Sequence, residues 1–349
     1  MSESSPKKGI SYAEAGVDIA ASDAAVERIK TLARKTFNSQ VLSEIGSFGG
    51  FFKPDLTGIK KPVLISSADG VGTKLKVAFM TDRHDTVGED LVNHCVDDIL
   101  VHGAKPLFFF DYIATGKLKP EVIGRIVEGF SRGCLKVGMA LLGGETAEMP
   151  DMYQPGEYDL AGFIVGLVDE ENVVNGSTIR EGDICLGLAS NGLHTNGYSL
   201  ARKVIFDMAA RTPADLVPNT HTTIGDALLQ VHRCYAPLIH PLLEKYDIHG
   251  MAHITGGGLG GNLNRIIPDG LSAELTKGIA PVPPIFDFIR SMGRIDEHEM
   301  YHAFNMGIGF VIVAEPDTAD RIISSLGEAG EMAYKIGKIK KGTDKVVLI

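Results

Sequence analysis

Three apolar runs in this chain end in glycine-rich, polar clusters: VLISSADGVGTK at 63–74, MALLGGETAE at 139–148 and GMAHITGGGLGG at 250–261. Short apolar runs bounded by such clusters read as buried strands. Glycine at a strand end permits a tight turn, or lets a ligand approach the backbone closely. Between these runs the apolar residues recur at helical spacing. Val87, Leu91, Cys95, Val96, Ile99 and Leu100 mark a helix over 86–101. Pro120 opens another that runs to Lys136, with proline in the first turn, where a helix tolerates it. A chain that mixes the two periods in this way folds as a mixed α/β protein. The 41 glycines follow no G-X-Y period, which excludes a collagen-like rod.

The same reasoning predicts strands at 62–68, 106–114, 139–144, 159–170, 183–190 and 250–255, and in LSAEL, IGFVIVAE and YKIGKI. Residues 1–16 read as mobile, and Ser22-Asp23 offers an N-cap to a first helix. In the second half the pattern gives a helix over 197–210 and a long helix from Ile224 to Tyr246 that Pro237 and Pro241 break or bend. A further helix leaves the GGGLGG cluster and runs through Ile267, and another spans Asp317, its N-cap, to Leu326. The turn-rich EENVVNGSTIREGD stretch marks a seam, so the domains are placed at 1–170 and 171–349. A length of 349 residues fits two domains.

Net charge is −10, so a broad basic surface for nucleic acid is not expected. The N-terminal MSESSPKKGI has no apolar core, and no run of about 18 apolar residues occurs, so neither a signal peptide nor a membrane span is expected. Cys95, Cys134, Cys185 and Cys234 form no CxxC pair, which argues against a zinc ribbon or a thioredoxin motif. They read as reduced thiols of a cytoplasmic protein, with Cys95 and Cys134 as core fillers.

SSADGVGTKLK is not a P-loop, because no glycine stands five places before Gly72 and Thr73-Lys74 follows it. It is either a ligand site built on Asp69, or only a strand meeting a turn. On the helix over 86–101, Asn93 and Asp97 share one face and His94 and Asp98 the adjacent one, with His102 extending the second row. Asp98 is expected to find a partner, magnesium being suited to oxygen ligands and phosphates, whereas Asp97 is expected to face solvent. Glu145 and Glu148 follow a strand and a double glycine; they are ligand groups at a sheet mouth, or acids that open a helical turn. His194 lies between two Asn-Gly pairs, where it either meets an anion or is structural. Gly256, Gly258 and Gly261 match G-x-G-x-x-G, but Asp269 and Glu274 are badly placed to bind a ribose. Phosphate binding at that helix start is the narrower reading, and a nicotinamide dehydrogenase is its rival.

Taken in order, SADGVGTKLK, the Asp97-Asp98 pair with HGAKPLFFFDYIATGKL, GGETAEMPDMY, SNGLHTNGYSL, HITGGGLGGN and FNMGIGF resemble the phosphoribosylformylglycinamidine cyclo-ligase family. The likeness runs from SYAEAGVDIAA at 11–21 to YKIGKI. It implies an ATP-dependent ligase that closes the imidazole ring of formylglycinamidine ribonucleotide in purine biosynthesis. It also implies a two-domain subunit, with N-terminal strands of two chains building a barrel across a homodimer and a C-terminal mixed α/β domain. Carried over residue by residue, the resemblance makes His194, Asp98 and Lys74 catalytic. Lys30, Asp69, Gly70, Gly72, Thr73 and Glu145 would bind ATP, and Asn191, Asn196, Thr255, Gly256, Gly257 and Gly258 the substrate. Asp69 and Asp98 would hold Mg2+, and K+ is often associated with such enzymes. Two positions depart from the family: Asp97 stands where it has Asn, and Gly261 where it has Glu. The alternative within the superfamily is activation of another amide or carbamoyl group.

Overall fold

The computed structural model describes residues 19–349, so the segment read as mobile, 1–16, lies outside the described residues, as does most of 11–21. The first part of the chain runs α1 (Ile19–Arg34), β1 (Pro62–Gly70), α2 (Leu75–Thr81), α3 (Val87–Leu100), β2 (Lys105–Thr115), α4 (Pro120–Lys136), β3 (Ala140–Glu148) and β4 (Tyr158–Asp169). Its four strands form one sheet in the order β1-β4-β2-β3, with β2 and β3 parallel and the other pairs antiparallel.

The second part runs β5 (Ile184–Ala189), α5 (Tyr198–Arg202), α6 (Ile224–Leu228), α7 (Ala236–Leu243), β6 (Gly250–His253), α8 (Gly258–Leu263), β7 (Leu271–Leu275), α9 (Pro284–Gly293), α10 (Glu297–Ala303), β8 (Ile308–Ala314), α11 (Pro316–Glu328), β9 (Ala333–Lys341) and β10 (Val346–Leu348). Six strands form the second sheet, in the order β10-β7-β9-β5-β8-β6. The architecture is therefore mixed α/β with two sheets. Among the described residues, no helix is long and apolar enough to cross a membrane.

Helix α3 is the central element. Leu91, Cys95 and Ile99 have no exposed surface and pack into the core between the first sheet and α4. A Cβ on Gly88 would stand 2.1 Å from the Ile126 carbonyl oxygen, so α3 and α4 touch backbone to backbone there and only glycine fits. The polar row of α3 turns to the second half instead. Asp90 Oδ1 accepts from His232 N at 2.7 Å, Asp97 Oδ1 accepts from Tyr235 N at 2.9 Å, and Asn93 Nδ2 donates to the His232 carbonyl at 2.7 Å.

Those contacts correct the long helix expected over 224–246. Its middle is held open because α3 side chains, not a helical ladder, satisfy the backbone at 232–235, and α7 starts afresh with Pro237 in its first turn. They also correct Asp97, which is fully buried rather than facing solvent. Other differences are smaller. β3 continues to Glu148, so Glu145 and Glu148 stand on a strand and open no helical turn. α1 begins at Ile19, which places Ser22 and Asp23 inside the helix, and Glu315 rather than Asp317 precedes α11. α8 ends at Leu263, and α9, α10 and β10 were not legible in the sequence. All four cysteines are buried and free.

Candidate active site

Asp69 is the penultimate residue of β1, and its backbone partner across the sheet is Gly162. Asp111 of β2 pairs with Gly162 from the other side, so both acids lie in one row of the sheet, on the face that α3 covers. Ser67, two residues earlier on β1, points the same way and donates its hydroxyl to Asp98 Oδ2 at 3.0 Å. The second row of α3 supplies His94 and Asp98. His94 Nε2 lies 2.8 Å from Asp69 Oδ2 and 3.9 Å from Asp98 Oδ2. On the far side, His253 at the end of β6 brings Nδ1 to 2.9 Å from Asp98 Oδ1. Carboxylates and imidazoles thus alternate from Asp69 through His94 and Asp98 to His253, joining both sheets.

The charges in this chain follow from its contacts. Burial works against the His94 cation, but the Asp69 hydrogen bond and the Asp98 and Asp69 charges raise its pKa above the ordinary value. Burial likewise pushes Asp69 and Asp98 up, and bonds from His94 and His253 more than reverse it, leaving both carboxyls below their usual range. Burial pushes Asp111 up to about 7, with the Glu145 charge adding to it. Asp97 is raised well above the carboxylate range by burial, and its Oδ2 has no hydrogen-bond partner among the described residues.

The other residues singled out from sequence sort clearly. Lys74, expected from the resemblance to be catalytic, lies in the interior. Its ammonium is fully buried, 2.8 Å from Asp90 Oδ1, and donates to the carbonyls of His194 and Gln230. Thr73 Oγ1 stays exposed, 3.0 Å from Ser199 Oγ, and Gly70 and Gly72 bracket the turn beside Asp69. Lys30 pairs with Glu27 on its own helix at 2.8 Å, and Glu145 is exposed on the edge strand β3.

His194 sits in the left-handed region, φ 61°, and is buried, with its ring stacked on His232 at 4.2 Å between centroids. Asn191 Nδ2 donates to the Val231 carbonyl. Asn196 reaches the glycine turn, its Oδ1 3.3 Å from where a Gly256 Cβ would stand. Thr255 donates to Asn262 Oδ1, and Asn262 Nδ2 donates to the carbonyls of Thr255, Gly256 and Gly258, bracing the turn. A cavity of about 250 Å³ opens at Gly257 and Gly261, lined also by Lys277, Glu297, His298 and His302. Sequence reading missed His232, His253, Asp111 and Asn262. His253 and Asn262 flank the quoted glycine cluster and Asp111 lies in a quoted strand, whereas nothing local marks His232.

Comparison with known proteins decides what this assembly belongs to. The AIR synthase related protein models match over most of the chain, the N-terminal domain at residues 57–168 and the C-terminal domain at 180–349. A phosphoribosylformylglycinamidine cyclo-ligase of Pseudothermotoga lettingae is 52% identical over 340 residues, 97% of this chain and 100% of the relative. One of Geobacillus kaustophilus is 50% identical over 331 residues, 95% of this chain and 96% of the relative. The chain belongs to the phosphoribosylformylglycinamidine cyclo-ligase family. Solved structures extend the likeness in fold alone. A thiamine-monophosphate kinase from Stenotrophomonas maltophilia aligns with TM-score 0.68 at 17% identity, covering 93% of this chain and 95% of that one. The hydrogenase maturation protein HypE, solved in complex with ATP, aligns with TM-score 0.66 at 19% identity, covering 92% and 90%. Within the cyclo-ligase fold, the mouth where β1 and α3 meet carries hard oxygen donors on Asp69 and Asp98. Asp69 is 42% exposed there, so the donor set fits magnesium with room for substrate oxygens.

Proposed function

We propose that this chain closes the imidazole ring of formylglycinamidine ribonucleotide at the expense of ATP, giving aminoimidazole ribonucleotide, ADP and phosphate. Identity of 52% to a cyclo-ligase, over 97% of this chain and the whole of that relative, carries the reading. The chain is an ATP-dependent ligase of purine biosynthesis, and its proposed place is the cytoplasm.

The chemistry has two stages. The formyl amide oxygen attacks the γ-phosphorus; the O–P bond forms, the bond to the β-phosphate oxygen breaks, and ADP leaves. The ring-forming nitrogen then attacks the activated carbon, the C–O bond breaks, phosphate departs, and the nitrogen loses a proton. Little covalent work falls to the enzyme in phosphoryl transfer, so positioning and charge dominate. Asp69 and Asp98 are the residues that would hold Mg2+, which when bound supplies charge neutralisation to the phosphates. Thr73, Gly70 and Gly72 form the turn beside Asp69 that would meet the nucleotide, and the resemblance alone adds Lys30 and Glu145 as further ATP contacts. Asn191, Asn196, Thr255 and the turn Gly256–Gly258 would seat the ribonucleotide, beside a cavity that Lys277, His298 and His302 help to line. His194, kept neutral by burial, would orient the substrate or take its proton.

A homodimer fits the first sheet, with the domain seam at 170/171. Leu64 and Phe163 are 65% and 47% exposed on the sheet face turned away from α3, an apolar surface suited to a second copy. The deciding experiment adds formylglycinamidine ribonucleotide to purified protein with Mg-ATP and follows ADP and aminoimidazole ribonucleotide. ADP release without the ring-closed product would reject this reading.

A further inference from the structure

We propose that His194, His232 and His253 form a buried site for a borderline-soft divalent cation of the Zn2+ type, separate in ligand chemistry from the oxygen donors Asp69 and Asp98. One ring nitrogen from each of the three histidines falls within 4.8 Å of the others. The three come from different segments: the loop after β5, the loop before α7 and the end of β6. His232 Nε2 and His253 Nε2 share a hydrogen bond of 2.9 Å, whose proton the ion would displace. Tetrahedral bonds of ~2.0–2.1 Å to imidazole nitrogen separate the ligand atoms by roughly 3.3 Å, so binding would turn the His194 ring out of its stack on His232 to aim a nitrogen at the ion.

Three further features point to a cation. Among the described residues, neither ring nitrogen of buried His194 has a hydrogen-bond partner, in a side chain with 1% exposure. Two polar atoms left bare in a core are costly unless something meets them. His253 gives its Nδ1 to the Asp98 carboxylate at 2.9 Å, which leaves Nε2 toward the cluster; a carboxylate behind a histidine is the usual support of a metal ligand. Gly309 on β8 makes room for the stack, because a Cβ there would stand 2.6 Å from His194 Cε1 and 2.1 Å from the Tyr235 hydroxyl. Imidazole suits zinc, cobalt and nickel, whereas magnesium selects oxygen. The two donor sets meet at the His253–Asp98 bond, and each selects its own class of ion.

Ligation occupies a His194 nitrogen, so the ion inhibits turnover, a consequence that rests on the proposed role of His194. Binding itself does not rest on it. Untagged, chelator-treated protein titrated with Co2+ should take up one ion per chain. It should also develop the intense visible band of tetrahedral nitrogen-ligated cobalt, and X-ray absorption should count imidazole ligands. His232→Asn should weaken that binding by more than ~100-fold and make turnover insensitive to Zn2+. Asp69→Asn should keep the cobalt band. A pale, octahedral, oxygen-ligated spectrum in the wild type would overturn the site, with no variant needed. So would an undiminished band in folded His232→Asn. A band without inhibition would leave the site standing and reject only the role of His194.

Discussion

Lys74 Nζ stands 2.8 Å from Asp90 Oδ1, and neither side chain has any exposed surface. Burial lowers the lysine pKa and raises that of the aspartate, each opposed by the partner's charge. Two more bonds, to the carbonyls of His194 and Gln230, make the ammonium a pin between the turn after β1 and two loops of the second half. Lys74→Met leaves Asp90 buried and unpaired, so it should lower stability by about 3–5 kcal/mol in denaturant titration. The double variant Lys74→Met/Asp90→Leu should recover much of that loss. If Lys74→Met instead keeps wild-type stability and loses only ATP turnover, the lysine serves phosphate after all.

Asp69→Asn keeps an acceptor for His94 but removes the charge at the mouth of the site. Turnover with Mg-ATP should fall by ~100- to 1,000-fold, the scale of losing one preorganised electrostatic group, while the thermal midpoint stays close to wild type. A fully active variant would remove Asp69 from the mechanism.

Leu64→Asp places a charge on the outer, apolar face of the first sheet, where the side chain is 65% exposed in the single chain. Folding should survive, and sedimentation equilibrium should show the proposed dimer shifted to monomer. An unchanged mass would take this face out of the interface.

His240 gives a pH signature outside the site. Burial pushes it down to about 4, with the Lys105 charge adding to the shift, and Nε2 has no hydrogen-bond partner among the described residues. Its folded pKa lies below the unfolded value, so the unfolded chain binds the extra proton. Stability from this group is complete above about 6.5 and falls as pH drops toward about 4, by roughly 3 kcal/mol in all. Buried His194, His232 and His253 shift in the same direction. All three remain in His240→Asn, so the difference between the two stability–pH curves isolates His240. Parallel curves would show that it does not titrate on unfolding.

Local pattern carried a large part of this protein. Pro120 and the stripe behind it set α4 from its first residue to Lys136, and LSAEL forms β7 over its whole length. Spacing of four on α3 placed His94 with Asp98 and Asn93 with Asp97, because helical geometry alone decides which side chains share a row. What each row faces is not local. His94 and Asp98 came to lie between Asp69 of the first sheet and His253 of the second, whereas the 232–235 segment received Asn93 and Asp97, reversing the expectation that Asp97 meets solvent. The same contacts broke a helix that periodicity favoured, since Asp90 and Asp97 offered the backbone of His232 and Tyr235 better partners than the preceding turn. His232 had no sequence mark because its neighbours are distant in the chain: His194 and His253 meet it through the folding of the second part, and Asp97 only when that part packs on α3. Burial and long-range hydrogen bonds, which no window of sequence contains, decided the protonation and the partners of the site.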